Sequence, residues 1–164
     1  MPATYEPIAT TTLGSNAASY TFSSIPGTYT DLVLIVNGGA TSATYSLKMQ
    51  VNGDTASNYS DTSMQGNGTT AASNRNTSNT SMRSEATPTT TLNSVWIANF
   101  MNYANTTTNK TVLVRGNNAS ALVAANVNLW RSTAAITSIK VFFDATLSNI
   151  LSGTSLTLYG IKAA

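Results

Sequence analysis

The chain has no histidine and no cysteine, and charged residues make up only 9% of its 164 residues. Each absence excludes a chemistry. Without His there is no side chain whose ordinary pKa falls between pH 5 and 8, so imidazole acid–base catalysis and the usual zinc and copper sites go. Without Cys there is no disulfide framework, thiol nucleophile or thiol redox couple. The eight basic residues, Lys48, Arg75, Arg83, Lys110, Arg115, Arg131, Lys140 and Lys162, are scattered, and the net charge is only +2. Nucleic acid binding needs a basic stripe, and none is present. No stretch approaches 18 apolar residues, and the first residues lack the basic region and apolar run of a leader, so no membrane span and no secretory leader are expected.

What is present is polarity without charge: Thr, Ser and Asn supply 66 residues, against a hydrophobic fraction of 41%. Val, Leu, Ile, Phe, Tyr and Trp recur at regular intervals, which argues against disorder. The length predicts one domain, 1–164, with a true core.

The period of that recurrence is two. Tyr45, Leu47, Met49 and Val51 alternate with Ser46, Lys48 and Gln50, giving a strand with one apolar face that stops at the turn pair Asn52-Gly53. Comparable strands are predicted at 20–25, 31–36, 95–103, 111–115, 121–130, 136–143 and 155–161, with further candidates at 5–8 and 59–64. Residues 32–36 are apolar on both faces and predict a central strand; 95–103 carries Asn99 and Asn102 and is expected nearer an edge or an interface. Asn126 and Asn128 alternate with Val127 and Leu129, favouring strand over helix at 121–130. The expected fold is all-β, an antiparallel two-sheet β-sandwich, jelly-roll-like, with about eight to ten strands and no substantial helix. Residues 65–91 break the rhythm with almost no apolar residue except Met82, and predict one long polar loop, with room for a short strand at 81–86.

The carboxylates are Glu6, Asp31, Asp54, Asp61, Glu85 and Asp144. Asp54 and Asp61 are the nearest pair for glycosidase-type chemistry, but a turn carboxylate beside a solvated one explains both. With Asn52 and Asn58 they offer oxygen ligands for calcium, at a spacing that is not that of a calcium-binding loop. No catalytic residue, metal or cofactor is assigned. Seven Asn-x-Ser/Thr sequons occur where composition alone gives roughly five, so glycosylation is not implied. Trp96 and Trp130 lie within strand patterns and read as core, whereas Tyr59 and Tyr103, beside Asn-rich turns, are the candidate platforms for stacking a sugar.

Beyond these local signals, Ser24-Ile25-Pro26-Gly27-Thr28-Tyr29-Thr30-Asp31-Leu32-Val33-Leu34, then Val51-Asn52-Gly53-Asp54 through Asn58-Tyr59-Ser60, then Asn102-Tyr103 with Lys110-Thr111, and finally Leu156-Thr157-Leu158-Tyr159-Gly160-Ile161-Lys162 form a recognisable order. In it the chain resembles small virion proteins of tailed phages, especially phages of cyanobacteria. The resemblance implies a structural component and brings no catalytic residues. The first expectation is a capsid decoration (cement) protein on the outer capsid surface, made in the host cytoplasm. It would bind the major capsid protein, bridge neighbouring capsomers and associate with itself, most simply as a homotrimer. Tyr5, Pro7, Ile8, Asn67, Arg75 and Arg83 are the residues expected to touch a neighbour or the shell. The alternative is a tail-fibre or tailspike component that recognises a host glycan through Tyr59 and Tyr103.

Overall fold

Alternating side chains on Thr-rich, β-branched segments favour a pleated backbone, and strands dominate the computed structural model, which describes residues 4–118, 121–143 and 146–162. In chain order they are β1 (Tyr5–Thr12), β2 (Tyr20–Phe22), β3 (Asp31–Gly38), β4 (Lys48–Val51), β5 (Tyr59–Gly66), β6 (Ala71–Asn79), β7 (Met82–Arg83), β8 (Ser94–Phe100), β9 (Lys110–Asn118), β10 (Leu122–Trp130), β11 (Ile139–Phe142) and β12 (Ser155–Ile161). The described residues contain no helix. One sheet has eight strands in the order β1-β12-β3-β8-β9-β10-β5-β6, and the other has four, β2-β11-β4-β7. Every pairing is antiparallel. The all-β two-sheet sandwich expected from the sequence is the fold, with twelve strands among the described residues where eight to ten were expected.

The core lies between the sheets. Leu32, Leu34 and Val36 of β3, Trp96 and Phe100 of β8, and Val112 and Val114 of β9 meet Phe22, Met49, Val51, Met82, Ile139 and Val141 of the smaller sheet in one buried cluster. Trp96 meets Phe143 edge-on at 5.6 Å, and its indole N–H donates to the Ala86 carbonyl at 3.1 Å, so the largest side chain of the interior is both packed and hydrogen-bonded. β3 is an interior strand, as its two apolar faces predict.

Two expectations are corrected. Residues 95–103 do not lie near an edge: β8 sits between β3 and β9, Asn99 faces outward and receives Arg115, and Asn102 leaves the strand with φ 50° in a turn. Residues 65–91 are not one long loop. They hold the end of β5, a turn, β6 and β7. β6 shows no apolar period because both of its faces remain largely exposed, so only its backbone ladder with β5 defines it as a strand.

A carboxylate ties the β4–β5 connection to β10. Asp54 accepts hydrogen bonds from the Trp130 indole N–H at 2.7 Å, the Asn58 amide at 2.9 Å and the Ala56 N–H at 2.9 Å. Burial works to raise its pKa, but these three donors together outweigh it and hold the carboxyl below its ordinary value. A carboxyl with a lowered folded pKa stabilises fully above the unfolded value of about 4 and loses that contribution as pH falls through the folded value. Urea unfolding followed by tryptophan fluorescence at pH 6 and pH 3 should therefore show a smaller acid loss in Asp54→Asn than in the parent; equal losses would contradict the assignment.

The seat of Trp96 across β9 requires a missing side chain at Gly116. A Cβ there would lie 2.4 Å from Trp96 Cδ1 and 2.9 Å from Ser84 Oγ. Gly116→Ala should cost about 1–3 kcal/mol by overpacking, measured as a lowered urea midpoint with an unchanged denaturant slope.

Candidate interaction surface

β10 carries an inverted pattern. Its inward side chains are Ala124, Asn126, Asn128 and Trp130, all buried, and its outward ones include Val123 at 64% exposure and Val127 at 51%. Amides fill the interior positions and branched hydrocarbons face water.

The interior reason is hydrogen bonding. Asn128 accepts from the Arg83 N–H at 3.0 Å and donates to the Arg83 carbonyl at 3.1 Å, while Asn126 accepts from the Glu85 N–H at 2.8 Å. Two side chains of the large sheet thus complete the backbone bonding of β7 and the segment after it, as a neighbouring strand would. Asn126 also donates to Asp61 Oδ2 at 3.3 Å, and Asp61 receives Asn76 at 3.4 Å and Asn79 at 3.0 Å from β6. Arg83 is ion-paired with Glu85, and its Nε, which makes no hydrogen bond, lies 4.0 Å from Asp61 Oδ1.

The exterior consequence is an apolar field on the large sheet. Cross-strand register puts Met64, Ala125, Arg115, Ile97 and Ile35 in one row, and Thr62, Val127, Leu113, Asn99 and Val33 in the next. Met64 is 68% exposed. An open groove of about 530 Å³ runs over this field, lined by Met64, Val95, Ile97, Val123 and Ala125, with Arg115 and Asn117 as polar members. Arg115 is held to Asn99 at 3.2 Å across the sheet, so the single charge in these rows is fixed at a known place. Clustered exposed hydrocarbon of this kind is what a protein partner covers.

The residues singled out in the sequence do not converge. Tyr5 and Pro7 are exposed on β1, and Tyr5 stands edge-on to Tyr159 at 6.2 Å. Ile8 is half-buried against the core, at the bulge between Pro7 and Ala9. Asn67 lies in the β5–β6 turn, its side chain accepting from the N–H groups of Thr69 and Thr70, and Arg75 is exposed on β6. β1 and β6 are opposite edges of the large sheet, and Arg83 belongs to the other sheet.

The two sugar platforms are corrected outright. Tyr59 and Tyr103 are fully buried. Tyr59 stacks on Trp130 at 6.5 Å, its hydroxyl donates to the Asp54 carbonyl at 3.0 Å, and burial pushes its pKa up to about 12. Tyr103 donates its hydroxyl to the Pro26 carbonyl, and burial raises its pKa too. A phenol beside an Asn-rich turn can point inward when a backbone carbonyl supplies the acceptor a buried hydroxyl needs, here one in the adjoining connection for Tyr59 and one far along the chain for Tyr103. Asp54 and Asp61 are each surrounded by N–H donors, the wrong complement for a cation, and no group of three or more acidic residues suited to a metal occurs among the described residues. Asp144 lies outside the described residues.

Sequence reasoning missed Met64, Val123 and Val127. The alternation at 121–130 shows that β10 has two unlike faces, and the partners of Asn126, Asn128 and Trp130 show which one is inside.

With the sandwich and its exposed face described, comparison adds little. No family model matches the chain, and no curated protein matches it. Among solved structures it is similar to the galectin LEC-6 of Caenorhabditis elegans, at 9% identity over 94% of this chain and 96% of that one, with a TM-score of 0.37. An aerolysin-like protein of Bombina maxima is matched at 8% identity over 84% of this chain and 87% of that one, with a TM-score of 0.13.

The inverted strand makes a prediction against the usual rule. Asn128→Leu strips two partners from a buried backbone and should cost about 2–6 kcal/mol at about 1–3 kcal/mol per orphaned group. Val127→Ser, though it replaces hydrocarbon by hydroxyl, should change stability by less than about 0.5 kcal/mol. Chemical denaturation of both variants checks the pair, and the opposite ranking would refute this orientation of β10.

Proposed function

We propose that this protein is a non-enzymatic structural component of a phage virion, docking through the outer face of its large sheet onto the major capsid protein and stabilising the shell by bridging neighbouring capsomers. The observation that carries the reading is the exposed apolar field around Met64, Val123 and Val127. The resemblance of the 24–34, 51–60 and 156–162 segments to small phage virion proteins supplies the setting. A bridging protein must resist the forces that swell a shell, and a sandwich with one continuous core and few titrating groups suits that task. The glycan-binding alternative loses its support with the burial of Tyr59 and Tyr103.

The first test is the copy number of this chain in purified virions relative to the major capsid protein. A simple fraction of the capsid subunits is expected; a few copies per particle would move the protein to the tail, and absence would overturn the reading. In reconstitution on capsids lacking the protein, Val123→Asp with Val127→Asp should weaken retention at least about tenfold, the loss typical of a central contact, while leaving the thermal midpoint of the soluble protein within a few degrees. Undiminished retention would remove the docking face.

A further inference from the structure

A sandwich of two open sheets has four edges, and three of these are closed. At β1, Pro7 lacks an N–H and the register shifts between Pro7 and Ala9. β2 is three residues long. β7 is two residues long, and the Arg83 N–H and carbonyl are taken by Asn128. The fourth edge, β6, is different. It runs nine residues, contains no proline and one charge, Arg75, and lies largely exposed on both faces. Among the described residues only β5 pairs with it. A long edge with no proline and a single charge is a template for another strand.

We infer that β6 is completed by the β6 of a second copy, paired antiparallel about a two-fold axis, which joins two eight-stranded sheets into one. The strand itself selects that occupant. Its ladder with β5 is regular from Ala71 to Asn76, and Ser78 has φ 58° in the break that follows, so Ala71 to Thr77, the strand residues before that kink, form the segment able to pair. Its midpoint is Asn74. A two-fold axis there sets Asn74 against Asn74, an amide that both donates and accepts and so complements itself. It sets Arg75 against Ser73 of the second copy, so the one charge on the strand never faces its like. A foreign strand patterned with charge would find only Arg75 to answer it.

The geometry has a further consequence. A two-fold axis between antiparallel strands is perpendicular to the sheet, so the outer faces of both copies look the same way. Met64 pairs with Ser73, and Thr62 with Arg75 and Val127. The row Ala125, Met64, Ser73 therefore continues into Arg75, Thr62 and Val127 of the second copy, and two apolar fields become one surface. The assembly is a dimer in place of the trimer suggested by a threefold capsid site. It stands without the capsid reading, because it is tested on the purified chain in solution.

Sedimentation of the full chain over a concentration series should show a reversible dimer of twice 17.1 kDa. Ser73→Arg, which places like charges opposite each other twice per dimer, should weaken association roughly tenfold, whereas Ser73→Glu, which places an acid against Arg75, should leave it unchanged or tighter. Far-UV circular dichroism identical to the parent shows that both variants fold. A monomer at every concentration up to about 100 µM, a trimer, or equal effects of the two substitutions would overturn the inference.

Discussion

The pairing of Asn126 and Asn128 with the backbone of residues 83–85 is the interaction on which the arrangement of this molecule depends. Side-chain period along a strand is two, so a one-residue slip of β10 would exchange its faces completely. Slipped, the strand would bury Val123, Val127 and Leu129, each worth about 1.5–3 kcal/mol. It would also orphan the Arg83 N–H and carbonyl, the Glu85 N–H and one partner of Asp61, at about 1–3 kcal/mol apiece, and eject Trp130 from its stack on Tyr59. The sums are comparable until the indole is counted. Trp130, with its N–H on Asp54, decides the face, and the amides then fix the register.

That choice explains why so much of the fold was legible in the sequence and so little of the candidate surface. The apolar period of two marks β4, β8, β10 and β12 whichever face is inside, because either face gives the same alternation, and an unbroken apolar run marks β3. β6 was illegible because a strand exposed on both faces has no reason to alternate. Tyr59 and Tyr103 misled for a related reason. Neighbouring Asn and Gly residues report a turn, and a turn places a side chain near the surface without stating which way it points. What distinguishes inward from outward is the acceptor the hydroxyl reaches: the Asp54 carbonyl of the adjoining connection for Tyr59, and for Tyr103 the Pro26 carbonyl, far along the chain and near only in the tertiary structure.

Low charge shapes the rest. A chain with 9% charged residues cannot guard its edges with lysines, the commonest device of β-proteins. Here three edges are guarded by other means: a proline with a bulge, shortness, and amides borrowed from the facing sheet. Several of the charges are held in fixed local contacts. Lys162 reaches Glu6 at 2.8 Å and so clasps the last strand to the first, and Lys110, buried, donates to the carbonyls of Thr108 and Thr133.

The same economy bears on the kind of contact the exposed surfaces suit. Interfaces built on charge gain rate and lose strength with salt, whereas hydrocarbon and backbone ladders are indifferent to both ionic strength and pH. An apolar field on one face and an open strand at one edge of the same sheet are surfaces of the second kind. They are also geometrically linked, since the edge determines how copies of the field are oriented relative to one another. A monomer carrying both would be exposed to indiscriminate association, and pairing along β6 removes the open edge while leaving the apolar face free, so the order edge first, face second converts a liability into a directed assembly.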